Sequence, residues 1–369
     1  MRNRVLLLIK GLGRGGAEQI LATSIPHLDR TRFHYEVAYL LPWKDALVKE
    51  IEDQGVVVHC LDGAHGVGWV PRLRSLVRER RIDLIHSQSP VAACGARLAF
   101  WGRDRPRRVY TEHNVWERYH PATYWANRLT FALSDHVFAV SDHVRRSITG
   151  SGWPGMRSRP PVEMRYHGVD VEAVQVWSHV NGVRHELGIP DGTPVVGTVA
   201  NLKEHKRLDR MLRVARMVRA THPGVRFVFV GSGPLEEKLR QQASKLGLDG
   251  TVLFLGFRED AQRVTASFDV FALSSEHEGL SIALIEALAL GRPAVVPDVG
   301  GLGEVIRNGR EGVVVAPSDE SALASAVNDL LDDPSARRRM GEMGRARALD
   351  FDIRRAVVRI EEVYEELLA

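Results

Sequence analysis

Two carboxylates, Glu278 and Glu286, stand eight positions apart in the segment Ser274-Ser275-Glu276-His277-Glu278-Gly279-Leu280-Ser281-Ile282-Ala283-Leu284-Ile285-Glu286. The segment follows an apolar strand candidate, turns at Gly279 and enters a run of strong helix formers that Gly291 and Pro293 end. Glu278 is therefore expected on a loop and Glu286 two turns into a helix. Unpaired N–H groups around Gly279, Leu280 and Ser281, at the helix start, make an anion site. One short stretch thus offers a carboxylate for sugar hydroxyls, donors for a diphosphate and a second carboxylate for a ribose. Glu286 lies among Ile282, Leu284, Ile285, Ala287, Leu288 and Leu290. A carboxylate in a helix that is apolar nearly all round needs a partner or a ligand.

A second candidate is Gly11-Leu12-Gly13-Arg14-Gly15-Gly16, which fits G-x-G-x-x-G after a strand. A dinucleotide site also wants an acidic residue at the end of the second strand, to hold a ribose. That strand ends Leu40-Leu41-Pro42, and Glu36 stands at its beginning, pointing away from the crevice. The NAD reading fails there. The glycines still let backbone N–H groups approach a phosphate or hydroxyl, and the helix starting near Gly16 adds the positive end of its dipole. Glu18, in the first turn, binds an acceptor hydroxyl or complements that dipole. Asp350-Phe351-Asp352 resembles a metal-holding Asp-x-Asp, yet its place before the last helix is that of a cap, as is that of Ser141-Asp142. No nucleophile elbow or paired Cys/His is present.

The chain that positions these residues has 369 amino acids, 44% hydrophobic and 26% charged, the composition of an ordinary globular protein of two domains. No apolar run reaches the roughly 18 residues of a membrane-spanning helix, and Gly11 interrupts any signal-peptide core. Cys60 and Cys94 cannot build a disulfide framework or a four-thiolate zinc site, which suits a reducing compartment. Net charge is +4 overall but +8 up to residue 185 and −4 beyond it. The excess gathers in Pro71 to Arg81 (Arg72, Arg74, Arg78, Arg80, Arg81) and Arg103 to Arg108. With Leu73, Leu76 and Val77 at i, i+3 and i+4, the first stretch reads as a helix with one apolar and one basic face. Such a face either meets an anionic membrane surface or is simply solvated. Nucleic acid is excluded as a partner, since aromatics do not interleave with the basic residues.

Short apolar runs alternate with helix-period segments. Strands are expected at Val5–Ile9, Tyr35–Leu41, Val56–Cys60, Leu84–His86, Val109–Thr111, Val137–Val140 and Glu163–Tyr166. After a Gly/Pro-rich break at 150–161 they resume at Val195–Ala200, Arg226–Val230, Val252–Leu255, Val270–Leu273, Ala294–Val296 and Val313–Val315. This is the α/β pattern of two doubly wound, Rossmann-like domains with parallel sheets, whose ligands bind outside the strand C-terminal ends. The expected division is 1–178 and 179–350, with a last helix from Ile353 to Leu368.

The Glu278–Glu286 pattern is similar to the E-x7-E motif of retaining GT-B glycosyltransferases, and the chain resembles glycosyltransferase family 4 over essentially its whole length. Gly15-Gly16-Ala17-Glu18 resembles the family's G-G-x-E, and His167-Gly168-Val169-Asp170 its N-G-V-D. Val230-Gly231-Ser232-Gly233-Pro234 resembles V-G-x-G-P, Leu255-Gly256-Phe257 the L-G-x beside the nucleotide base, and Gly300-Gly301 with Glu304 the G-G-x-x-E after the donor site. The resemblance implies a GT-B fold whose C-terminal helix crosses back to the first domain. It implies a donor held by Glu286 on the ribose, Glu278 on the sugar, backbone N–H groups of Gly279, Leu280 and Ser281 on sugar and diphosphate, and Gly15 and Gly16 from the first domain. His113, in Thr111-Glu112-His113-Asn114, matches the family's cleft histidine that contacts the donor sugar; the bland alternative is a structural loop histidine.

One departure stands out. After the first strand of the second domain the family carries an Arg and a Lys for the diphosphate; here Lys206 matches the Lys, but Asn201 occupies the Arg position, so one charge is lost unless Lys203 or Arg207 replaces it. The implied activity is transfer of a hexose-type sugar, with retention and without metal or other cofactor, from a UDP-sugar (or a GDP-sugar) to a glycan or lipid-linked acceptor in cell-surface polysaccharide synthesis. The place implied is the cytoplasm, at the inner face of the membrane, with the domains closing on the donor. The rivals are an NAD(P)-dependent oxidoreductase and a nucleotide-sugar epimerase or non-catalytic binder on the same fold.

Overall fold

A computed structural model describes residues 2–63, 66, 68–100, 102, 105–149, 160–179 and 182–369. Most of the expected break at 150–161, and Arg103 of the second basic stretch, lie outside them. The chain divides into two compact units, Met1–Gly168 with Ile353–Ala369, and Val169–Asp352.

In the first unit the strands are Asn3–Ile9 (β1), Phe33–Tyr39 (β2), Val57–Cys60 (β3), Leu84–Ser87 (β4), Arg107–Glu112 (β5), His136–Ala139 (β6) and Val162–Met164 (β7). They form one parallel sheet in the order β3-β2-β1-β4-β5-β6-β7. Successive side chains of β1 go to opposite faces: Val5, Leu7 and Ile9 join one core cluster, Leu6 and Leu8 another. Both faces are covered, which is why the strand is apolar throughout. The C-terminal helix Ile353–Leu368 belongs to this unit. Its Val363 and Tyr364 pack with Phe33 and Tyr35, and its Glu361 accepts hydrogen bonds from the Tyr35 hydroxyl (2.6 Å) and the Asp29 amide (2.8 Å).

The second unit holds Val195–Val199 (β8), Arg226–Val230 (β9), Val252–Phe254 (β10), Val270–Ala272 (β11), Ala294–Pro297 (β12) and Gly312–Val315 (β13), parallel in the order β10-β9-β8-β11-β12-β13. In both sheets the strand order reverses beside the first strand of the unit, the switch point where doubly wound folds bind ligands.

Two expectations are corrected. The second strand runs from Phe33 to Tyr39, two residues earlier than expected, so Glu36 is mid-strand and fully buried. It accepts hydrogen bonds from Arg4 (2.7 Å) and Arg80 (3.0 Å) and sits 2.7 Å from His59 Nε2. Desolvation pushes its pKa up, but the bonds from His59, Arg80 and Arg4 more than reverse that, leaving it at about 2. Glu36 thus spends its charge inside the unit and can hold no ribose. The basic face is also thinner than the sequence suggests. The helix Trp69–Glu79 buries Trp69, Leu73, Leu76 and Val77. Arg72 is bound to Asp62 (3.0 Å) and Arg74 to the Ala99 carbonyl (2.7 Å), and Arg80 is committed to Glu36. In the second stretch, Arg105 pairs with Asp135 (2.7 Å) and Arg108 is 5% exposed.

Candidate functional site

In the second unit the predicted donor residues other than Glu286 lie on connections that leave the C-terminal ends of parallel strands, and Glu286 lies on the helix that one of these connections enters. The loop after β8 carries Asn201 and Lys206, that after β9 Gly231, that after β10 Gly256 and Phe257, and that after β11 Glu278 to Ser281. Backbone hydrogen bonds lash the loops together: Leu202 N–H to Ser232 O (3.0 Å), Gly231 N–H to Gly256 O (2.7 Å), Glu276 N–H to His205 O (2.8 Å). Gly231 has φ +127°, and a Cβ there would lie 2.1 Å from the Ala200 carbonyl oxygen. A side chain is therefore impossible at this crossing.

Lys206 Nζ is 2.5 Å from Glu278 Oε1, and the Ser275 hydroxyl donates to the same oxygen at 2.7 Å. Their side chains are 16% and 8% exposed, so ammonium and carboxylate share a largely dry spot where their mutual attraction is little screened. The structure thus brings together the two residues expected to grip sugar and diphosphate, and each is the other's counterion. Ser281 caps the helix Ile282–Ala289 by accepting from Leu284 N–H (3.4 Å), which satisfies one of the first-turn amides that have no partner within the helix. Glu286 is part-buried on it and accepts from Gln262 Nε2 at 2.8 Å. Desolvation raises its pKa to about 7, only partly offset by Gln262. The expected partner is thus a neutral amide, and the carboxylate keeps room for a further donor. Leu280 is 9% exposed and anchors the loop inward, whereas Phe257 is 49% exposed. Arg207 does not stand in for the missing arginine at Asn201: Asp209 (3.1 Å) and Glu276 (3.8 Å) hold it. Lys203 is exposed beside Asn201.

In the first unit, Gly15 is the N-cap of the helix Gly16–Ser24, and Glu18 folds back over it. A Cβ on Gly15 would lie 2.3 Å from Glu18 Oε2, whereas Gly16 faces open space. The helix start already carries its own anion, an arrangement better suited to a hydroxyl than to a phosphate. Ser141 Oγ accepts from Val144 N–H (3.2 Å), a helix cap. His113 follows β5, with Nε2 3.0 Å from Gln88 Oε1 and its ring 5.3 Å from that of His167. Burial lowers its pKa to about 4, so the ring is neutral near pH 7. Glu112, beside it, is fully buried and accepts from Tyr110 (2.6 Å), Trp116 Nε1 (2.9 Å) and Tyr119. These bonds pin the loop that presents His113.

Sequence reasoning passed over Gln262 beside Glu286 and Gln88 on His113, and gave no role to Ser275 on Glu278 or His167 beside His113 although both stand in quoted motifs. Gln88 directly follows a strand, the position that should have drawn attention; a lone Gln262 on a short helix carries no signal. Among the described residues, no helix is long and apolar enough to cross a membrane, and no group of three or more His, Cys, Asp or Glu could hold a metal ion.

Residues 14–173 match the family model Glycosyltransferase Family 4, and residues 182–347 the model Glycosyl transferases group 1. Among solved structures, Anabaena HepE in complex with UDP-glucose superposes with a TM-score of 0.84 at 23% identity, over 98% of this chain and 99% of that one. WaaG, a glycosyltransferase involved in lipopolysaccharide biosynthesis, gives 0.75 at 15% identity over 98% and 99%. The fold is thus GT-B. The putative glycosyltransferase EpsD of Bacillus subtilis is 27% identical over 79% of both chains. The GDP-mannose-dependent alpha-(1-6)-phosphatidylinositol monomannoside mannosyltransferase of Mycolicibacterium smegmatis is 30% identical over 358 residues, 91% of both chains. A match of that extent, with the two family models, places this chain in glycosyltransferase family 4.

Proposed function

We propose that the protein is a retaining glycosyltransferase that moves a hexose-type sugar from a UDP-sugar to a glycan or lipid-linked acceptor in cell-surface polysaccharide synthesis. The observation that carries this reading is the Lys206–Glu278 pair at the loop that leads into the Ser281-capped helix Ile282–Ala289, on which the part-buried Glu286 lies. On this reading Glu286 receives ribose hydroxyls, Glu278 the hydroxyls of the donor sugar, and the loop amides and Lys206 the diphosphate, with Lys203 supplying the charge absent at Asn201. Gly231 gives the backbone close approach, while Gly256 and Phe257 flank the base. From the first unit, Gly15 and Gly16 approach the donor, Glu18 takes an acceptor hydroxyl and His113 contacts the transferred sugar. The leaving phosphate oxygen accepts the acceptor's proton, and bond formation on the same face retains the anomeric configuration. The enzyme works in the cytoplasm at the inner face of the membrane, where Arg78 and Arg81 are the exposed remnant of the basic face.

UDP is favoured by the HepE complexes, which contain UDP and UDP-glucose; the mycolicibacterial relative's name favours GDP-mannose. A thermal-shift screen of UDP-, GDP- and ADP-sugars separates them, because a ligand bound only by the native state raises its melting temperature. A rise with a UDP-sugar is expected. No rise with any nucleotide sugar, in a chain that melts cooperatively, would sink the reading.

Glu286 makes donor affinity pH-dependent. Below about 7 its carboxyl is protonated; above, it is a carboxylate that accepts ribose hydroxyls in charge-assisted bonds. Donor binding takes up the ionised form, so affinity should rise with pH through 7, by at most about tenfold per unit. Calorimetric titrations at pH 6 and 8 should show this slope, and Glu286→Gln should flatten it. Tighter binding at pH 6 in the native chain would remove Glu286 from the ribose.

A further inference from the structure

His113 is not an isolated ring. Its Nε2 faces Gln88 Oε1 at 3.0 Å, and the other end of the Gln88 amide lies 3.3 Å from His86 Nε2. His86 is 1% exposed and fixed twice more, by Thr111 Oγ1 on Nε2 (2.7 Å) and by the Tyr364 hydroxyl on Nδ1 (2.5 Å). Desolvation lowers its pKa to about 3, so it too is neutral. These groups share one cavity of the first unit, whose far wall is Ile353, Ala356, Val357 and Ile360 of the C-terminal helix. The His167 ring lies 5.3 Å from that of His113 at a 36° tilt, its Nδ1 buried without a hydrogen-bond partner.

A neutral imidazole has one N–H and one lone pair, and its hydrogen-bond partner decides which nitrogen holds which. A carbonyl opposite Nε2 takes the N–H there. The Gln88 carbonyl is turned to His113 because its NH2 group is turned to His86, whose own position is set by the Tyr364 and Thr111 hydroxyls. We propose that Gln88 is the positioning residue of His113, fixing the ring with its proton on Nε2 and leaving Nδ1 as an acceptor for a ligand hydroxyl. That assignment rests on the donor-side role given to His113 above. It adds the direction of the hydrogen bond: His113 accepts one from a sugar hydroxyl rather than donating one.

The test uses the full chain labelled with 15N-histidine, with His113 assigned by its loss in His113→Gln. Long-range 1H–15N correlations should show His113 protonated on Nε2 in the native protein. Gln88→Leu, which keeps the bulk and removes the carbonyl, should give a mixture of tautomers. It should lower kcat by about tenfold or more, the cost of a loosened reactive group, with the affinity for UDP unchanged. Gln88→Glu should raise the His113 titration midpoint by more than one pH unit, because a carboxylate beside the ring favours the imidazolium. A native ring protonated on Nδ1 would mean the amide is reversed and overturns the proposal, as would a His113 spectrum that neither Gln88 variant changes. Failure of the donor reading looks different: no nucleotide binds, while the imidazole spectra still answer the question.

Discussion

Lys206→Ala should lower turnover by about 10²- to 10³-fold, the usual cost of removing one preorganised group from a developing charge. The departing diphosphate gains negative charge as the glycosidic bond breaks, and Asn201, where the resemblance implies an arginine, brings no cation to it. Lys206 therefore stands closer to being the sole buried cation of the donor loops than it would with an arginine beside it. Its present partner sharpens the expectation. Deleting the ammonium leaves Glu278, 8% exposed, facing the donor with an uncompensated charge. A carboxylate so placed repels the diphosphate, so donor affinity should fall together with kcat. Lys206→Ala, Glu278→Gln and their double variant form the informative set. The double variant should bind donor better than Lys206→Ala alone, because the repulsion is gone, yet stay nearly as slow. Near-native turnover of Lys206→Ala would show that the exposed Lys203 suffices by itself and that the buried ammonium is dispensable.

Gly300→Ala is expected to be almost as damaging, without touching any ligand. Gly300 has φ +58°, and a Cβ built on it lies 1.7 Å from the carbonyl oxygen of Glu278. The Gly301 amide also donates to that carbonyl, at 3.3 Å. The left-handed conformation alone would cost about 1–2 kcal/mol for a residue with a side chain. The collision is the larger effect, since one of the two backbones must move. Moving the Glu278 loop by an ångström displaces the carboxylate, the amides after it and the grip on Lys206, a misplacement worth about 100-fold in rate. The variant should fold, with circular dichroism like the native protein's and a lower melting temperature, yet bind nucleotide sugar poorly. Gly300→Asn separates the causes, because asparagine tolerates positive φ but carries the same Cβ. If Gly300→Asn were native-like, the collision would be unimportant and only the dihedral would matter.

The contrast between these residues shows what the sequence could display. All thirteen strands were legible, because burial on both faces leaves apolar runs bounded by polar turns, and such runs hardly depend on tertiary detail. Their ends were less so: β2 starts at Phe33, which puts Glu36, polar in sequence, in mid-strand, where Arg4 and His59 of the neighbouring strands answer it. Glu286 was marked by its surroundings, since an acid in an apolar helix contradicts its neighbours. Gln262, which answers it, contradicts nothing where it stands. The Lys206–Glu278 pair spans 72 positions, and no local pattern announces a contact at that distance. Likewise Arg80 looked like part of a basic surface until its partner proved to be Glu36, 44 residues away. Charge counts along a helix reveal how many cations there are, and only the fold reveals how many have already found an anion.

The C-terminal helix has a consequence for biosynthesis. Phe33 and Tyr35 need Val363 and Tyr364 to complete their core cluster, and Tyr35 needs Glu361. A ribosome makes those partners only after the whole of Val169–Asp352. The nascent first unit must therefore wait, its sheet face uncovered and open to off-pathway association, while the second unit emerges and closes its own core. Translation speed and chaperone supply should govern the yield of active protein, and fragments released before Ile353 should precipitate.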